Sequence, residues 1–166
     1  MTFPTTHPAL ARALAAREYA VPTAVQLAVL DANAAGKDML VSAQTGSGKT
    51  VAFGLAMATT VLGEAERFER AVEPLALIIA PTRELALQVQ RELAWLYAET
   101  GAQVVTCVGG MDVRAEARQL NFGAHIVVGR FDRHGQSALA HGVHHPWNIL
   151  QHLVHAQRGY GNVHVS

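Results

Sequence analysis

Met39-Leu40-Val41-Ser42-Ala43-Gln44-Thr45-Gly46-Ser47-Gly48-Lys49-Thr50 decides how the rest of the chain is read. A short apolar run, Met39 to Val41, ends at Ala43, and a loop carrying two glycines follows at once. Strand, loop, helix is the natural parse. Glycines let the backbone curl until successive N–H groups point at one anion. A helix beginning near Gly48 adds the positive end of its dipole at the same place. Lys49 is then placed to reach the β and γ phosphates of a nucleotide as a point charge, and Thr50 to offer its hydroxyl to Mg²⁺. The general pattern has Gly at the first position, where this chain has Ala43.

The segments on either side alternate in the same way. Pro8 suits a first helical turn, and Leu10, Leu14 and Arg17 follow at helical spacing, so residues 8–18 are expected to be a short amphipathic helix. Val21-Pro22 breaks it and leaves Thr23 as the N-cap of a second helix through Ala34, closed by Gly36. Leu75 to Ala80 is continuous and apolar up to Pro81, which predicts a strand buried on both faces of a parallel sheet. Leu85, Val89, Leu93 and Leu96 give residues 83–98 one apolar helical face. Val104 to Val108, a helix over 112–121 and Ile126 to Val128 repeat the alternation. Strands separated by helices predict parallel β-α-β units and a layered α/β domain. The charged stretch Glu64 to Glu73 is expected to be a solvated linker.

Ala43-Gln44-Thr45-Gly46-Ser47-Gly48-Lys49-Thr50 resembles motif I of the DEAD-box RNA helicases letter for letter, and further segments agree in order and spacing. Tyr19 with Pro22-Thr23-Ala24-Val25-Gln26 resembles the family's Q motif, in which a glutamine amide pairs with the adenine edge and an aromatic ring covers the base. The resemblance implies those roles for Gln26 and Tyr19, with Phe3 as the isolated upstream aromatic. A carboxamide donates and accepts at once, so one residue can prefer ATP over GTP. The other reading of Gln26 is an ordinary exposed helix residue. Pro81-Thr82-Arg83-Glu84-Leu85-Ala86 resembles motif Ia, which implies contact between Pro81, Thr82, Arg83 and the RNA sugar-phosphate backbone. Gly109-Gly110 resembles the family's paired glycines, which approach RNA phosphates closely; a plain turn is the alternative. None of these segments reads bases, so RNA binding is expected to be independent of sequence. The resemblance thus implies a RecA-like three-layer domain with a mostly parallel, incomplete sheet, ATP and Mg²⁺ as cofactors, and RNA as partner.

Residues 1–128 carry this agreement. Where the family continues with Thr-Pro-Gly-Arg after Gly129, this chain has Arg130-Phe131-Asp132-Arg133, and these 166 residues contain no Asp-Glu-Ala-Asp or Ser-Ala-Thr. In phosphoryl transfer the acidic pair completes Mg²⁺ coordination and orients the attacking water, and an arginine finger neutralises the developing charge. The family supplies that finger from a second RecA-like domain, which is not expected within this chain. Two readings therefore stand: the ATP- and RNA-binding portion of an RNA helicase, or a nucleotide-binding module without turnover. A third, another P-loop ATPase or kinase, explains neither Gln26 nor Pro81 to Ala86.

Composition shifts at the same point. Overall, 13 basic residues balance 13 acidic ones and 50% of residues are hydrophobic, which fits one core-bearing domain and gives no global field pulling the molecule onto nucleic acid. Residues 129–166 nevertheless hold seven of the nine histidines, no Lys, no Glu and one acid, Asp132. Such a His-rich tail is what a frameshift or gene rearrangement produces, or else a genuine replacement segment. Asn148 is positioned to cap a helix carrying Ile149, Leu150, Leu153 and Val154. His141, His144, His145, His152 and His155 lack an accompanying cysteine or carboxylate, so a metal site is not expected. The single cysteine, Cys107, reads as a small buried hydrophobe. With no leader pattern and no apolar run near the roughly 20 residues of a membrane span, a cytoplasmic, soluble protein is expected.

Overall fold

The computed structural model describes residues 3–4, 6–31, 37–109, 113–130 and, as backbone pairing, 160–164. Its elements run α1 (Pro8–Ala16), α2 (Ala24–Val29), β1 (Asp38–Ser42), α3 (Lys49–Val61), β2 (Ala76–Ala80), α4 (Arg83–Leu96), a 3₁₀ turn (Ala98–Thr100), β3 (Val104–Cys107), α5 (Val113–Phe122), β4 (Ile126–Arg130) and β5 (Tyr160–His164). Every strand pairing is parallel: β2-β4-β3 form one sheet and β1-β5 another. The sequence reading contains no strand at 160–164, and the predicted helix from Asn148 and the tail histidines other than His164 lie outside the described residues.

Alternation along β4 builds the layers. Ile126 and Val128 join Leu10, Leu14, Val51, Leu55, Leu93 and Leu96 in the main core, so α1, α3 and α4 cover that face. Val127, between them, packs with Val105, Cys107, Ala124 and Leu120 on the opposite face, under α5. Helices on both faces of a parallel sheet make the three-layer α/β arrangement expected from the alternation. A third cluster, Val25, Val29 and Ala52 with Met39 and Val41, seats α2 on α3 and β1.

Several boundaries differ from the sequence reading, each for a packing reason. The first helix stops at Ala16, because Glu18 turns left-handed (φ 59°) and the Tyr19 N–H bonds the Leu14 carbonyl, closing the helix end. The second stops at Val29, its last buried position, rather than at Ala34. Along α4 the buried residues are Ala86, Val89, Leu93 and Leu96, while Leu85 is exposed. Burial on both faces falls to β4, the central strand, whereas β2 has β4 as its one pairing partner among the described residues and Ile79 is half exposed.

The stretch from Glu64 to Glu73 is anchored rather than freely solvated. Phe68 packs on the main core, and its N–H bonds the Thr100 carbonyl at 2.9 Å. His125, at the start of β4, accepts the Gln103 N–H on Nδ1 (2.9 Å) and donates from Nε2 to the Glu69 carbonyl (2.8 Å), with the Phe68 ring centroid 4.5 Å away. Arg12 pairs with Glu66 at the surface.

Candidate functional site

The loop between β1 and α3 has the shape its glycines allow. Gly46 (φ 82°) and Gly48 (φ 84°) are both left-handed, and Gly48 is the N-cap of α3. Two side chains from the start of α2 hold this loop. The Thr23 hydroxyl donates to the Ser47 carbonyl at 2.8 Å, and Gln26 Nε2 donates to the Gly48 carbonyl at 3.4 Å. Thr23 and Gln26 also cap α2 reciprocally: Gln26 Oε1 accepts the Thr23 N–H at 2.9 Å, and the Thr23 hydroxyl accepts the Gln26 N–H at 3.3 Å.

Those contacts fix where the loop's donors aim. In a trans peptide the carbonyl and the next N–H point in opposite directions. With the Ser47 and Gly48 carbonyls turned toward Thr23 and Gln26, the Gly48 and Lys49 N–H groups face away, off the N-terminus of α3. That is the arrangement an anionic phosphate requires.

Lys49 Nζ donates to the carbonyls of Ala43 (2.5 Å) and Gln44 (2.6 Å), so the ammonium lies folded across the loop mouth, and Thr50 follows in the first turn of α3. The Ser47 hydroxyl is buried without a hydrogen-bond partner. A curled glycine backbone, a cation held by carbonyls that a phosphate can replace, and an unsatisfied hydroxyl fit a nucleotide's phosphates. Gly46 to Lys49 would hold them, with Thr45 in the same loop and Thr50 next to any Mg²⁺ they carry.

The other predicted residues are placed as follows. Gln26 is 1% exposed, which removes the reading of it as an ordinary surface residue. The Tyr19 ring packs against Trp95 of α4, 5.5 Å between centroids, and the Arg17 guanidinium sits 4.6 Å over that same indole. Phe3 is half-buried against the main core. Thr82 caps α4, its hydroxyl accepting the Leu85 N–H at 3.2 Å, so Pro81-Thr82-Arg83 occupies a helix N-terminus at the end of β2 as anticipated. Gly109 follows β3 with φ 67°, and Gly110 lies outside the described residues.

Register brings two of these segments to one rim. Ala80 stands opposite Arg130 and Cys107 opposite Gly129, so Pro81-Thr82, Arg130 and Val108-Gly109 end three adjacent strands side by side. Arg130 is half-buried, and its Nε has no hydrogen-bond partner. Beneath Gly109, Glu116 of α5 is buried and accepts the Val108 N–H on Oε1 at 3.2 Å. The sequence does not single out Glu116; Arg130 is legible there as a remnant, with Gly129, of the family's Thr-Pro-Gly-Arg, and its place at the carboxyl end of a buried strand is where ligands of such sheets gather. Burial, and then the Glu116 carboxylate, push the neighbouring Cys107 thiol up to about 12.

A parallel α/β domain with a glycine loop at the carboxyl end of its first strand, leading into a helix through Lys-Thr, is a P-loop nucleotide-binding domain. The description DEAD/DEAH box helicase matches residues 23–154, most of the chain and past residue 128, and the chain belongs to that family. It is 42% identical over 123 residues to DEAD-box ATP-dependent RNA helicase 53 of Oryza sativa subsp. japonica, covering 74% of this chain and 20% of that protein. With ATP-dependent RNA helicase RhlB of Pseudomonas aeruginosa it shares 46% identity over 99 residues, 59% of this chain and 25% of the relative. Among solved structures, the RNA-helicase Prp28 from Chaetomium thermophilum bound to ADP superposes with a TM-score of 0.61 at 33% identity, covering 74% of this chain and 30% of that one. The chain therefore spans about a quarter or less of the length of the curated relatives it matches.

Proposed function

We propose that this chain is the ATP-binding and RNA-binding portion of an ATP-dependent RNA helicase, with Gln26 selecting adenine, Gly46 to Lys49 holding phosphates and Thr50 holding Mg²⁺. The observation that carries this reading is the hydrogen bonding of Thr23 and Gln26 to the Ser47 and Gly48 carbonyls, which makes the base-reading segment and the phosphate loop one unit. A relative solved bound to ADP supports the nucleotide class. RNA is taken along the rim formed by Thr82, Arg83, Arg130 and Gly109, through its backbone and without regard to sequence. A cytoplasmic location is part of the same reading.

Titration of wild type, Gln26→Ala and Lys49→Ala with ATP and GTP tests the nucleotide half. ATP should bind more tightly than GTP in wild type, and equal affinities would overturn the adenine assignment. For RNA, binding should weaken from low to moderate salt and on Arg83→Ala or Arg130→Ala, and a salt-independent constant would remove the rim as the site.

A further inference from the structure

Glu116 stands early on α5 with its carboxylate turned into the protein, 9% exposed, accepting the Val108 N–H. The parallel ladder between β3 and β4 ends at Cys107 opposite Gly129, one residue short of Val108. Val108 is fully buried, so the N–H that Glu116 takes up would otherwise need some other acceptor away from water. The next residue, Gly109, is left-handed and begins the turn at the sheet rim. Holding Val108 therefore holds the entry into that turn.

A hydrogen bond to Val108 does not by itself require a charge, since a glutamine carbonyl at the same place would accept the same N–H. The carboxylate brings something further. Successive backbone nitrogens lie about 3–4 Å apart, so a phosphate oxygen on the Gly109 N–H would stand within roughly 10 Å of the Glu116 carboxylate. Like charges at that range repel appreciably in a half-buried setting.

We infer that Glu116 is a positioning residue of the RNA rim that fixes the Val108–Gly109 turn and, through its negative charge, keeps RNA affinity below what the same turn would reach with a neutral acceptor. This rests on the reading of Gly109 as a phosphate contact. It makes α5 the element that sets how readily RNA is released.

The full chain as wild type, Glu116→Gln, Glu116→Ala and Arg83→Ala is titrated with a single-stranded oligouridylate by fluorescence anisotropy at low salt, and amide hydrogen exchange is followed at Val108. The glutamine variant should keep Val108 protected and bind RNA about three- to tenfold more tightly than wild type. The alanine variant should lose that protection and bind more weakly than the glutamine variant. Glutamine binding no tighter than wild type, or alanine retaining full Val108 protection, overturns the inference. If the alanine variant does not fold, the comparison of glutamine with wild type decides. Wild-type binding that Arg83→Ala weakens but Glu116→Gln leaves unchanged removes this inference alone. No binding by wild type removes the RNA reading and the inference with it.

Discussion

Gln26 and Gly48 are fitted to each other, the Gln26 Nε2 donating to the Gly48 carbonyl at 3.4 Å while a Cβ added at position 48 would lie 2.6 Å from that nitrogen. Gly48 therefore serves two demands, a left-handed φ of 84° and room for a buried carboxamide. Gly48→Ala meets both at once. The left-handed backbone costs a residue with a Cβ about 1–2 kcal/mol, and Gln26 must move, abandoning its contacts with Gly48 and Thr23. The expected outcome is a loss of about 2 kcal/mol in urea denaturation, with ATP affinity reduced more than tenfold and the preference for ATP over GTP erased. A variant that keeps that preference would show that Gln26 does not depend on this fit.

Glu18 offers the opposite kind of change. It occupies the C′ position of α1, where the Glu18 N–H bonds the Ala15 carbonyl and the Tyr19 N–H bonds the Leu14 carbonyl, and it is the one non-glycine with positive φ among the described residues. Glycine takes this conformation without strain, so Glu18→Gly should stabilise the fold by about 0.5–1 kcal/mol, less what glycine's freedom costs through the unfolded chain. Nucleotide affinity should not change. A shift in thermal midpoint is the readout, and a lower midpoint than wild type would contradict the account of this helix end.

Alkaline pH should destabilise the protein through two buried side chains. Burial first, then the Glu116 carboxylate, hold the Cys107 thiol up to about 12 from its ordinary 9.0, and burial raises the Tyr97 phenol above its ordinary 10.0. In both cases the folded state keeps a proton that the unfolded chain gives up earlier. Their contribution is therefore complete below pH 9 and is lost as pH climbs toward 12. The slope approaches about 1.4 kcal/mol per pH unit for each group. Urea denaturation at intervals from pH 7 to 11 should show this decline, and Cys107→Ala should flatten its first part. A stability constant across that range would mean the two side chains are not buried as described.

What the sequence made legible were the local features. Motif I lies within a dozen residues, so its strand, glycine curl and helix start could be read from spacing, and the strand end at Pro81 with the helix start at residue 83 could be read likewise. The linkages that assemble the site are long-range. Gln26 meets Gly48 across 22 residues, and His125 reaches Glu69 across 56, and no periodicity registers either pairing. That is why the stretch from Glu64 to Glu73 looked solvated although His125 and Phe68 fasten it. Gly129-Arg130 reads from sequence only as a remnant of Thr-Pro-Gly-Arg without its Thr-Pro, whereas β4 continues through Gly129 to Arg130 and sets that side chain at the strand's end.

The 166-residue polypeptide is expected to bind ATP without RNA-stimulated hydrolysis. Turnover divides the work: a phosphate loop holds the substrate, while separate acids orient water and a cation neutralises the charge that develops. In the proposed reading, Lys49 and the loop amides supply the first part. Among the described residues, Glu84 is exposed in the first turn of α4, just past the end of β2, and Glu116 accepts the Val108 N–H at the rim of the sheet. Neither is bonded to the loop that carries Lys49. Phosphate release is measured with saturating ATP, Mg²⁺ and single-stranded RNA, beside Lys49→Ala, and the two should be indistinguishable. Wild-type turnover that rises with RNA and disappears in Lys49→Ala would require an acid within these residues to act on the water. Asp132, which lies outside the described residues, would then be the first to replace by asparagine.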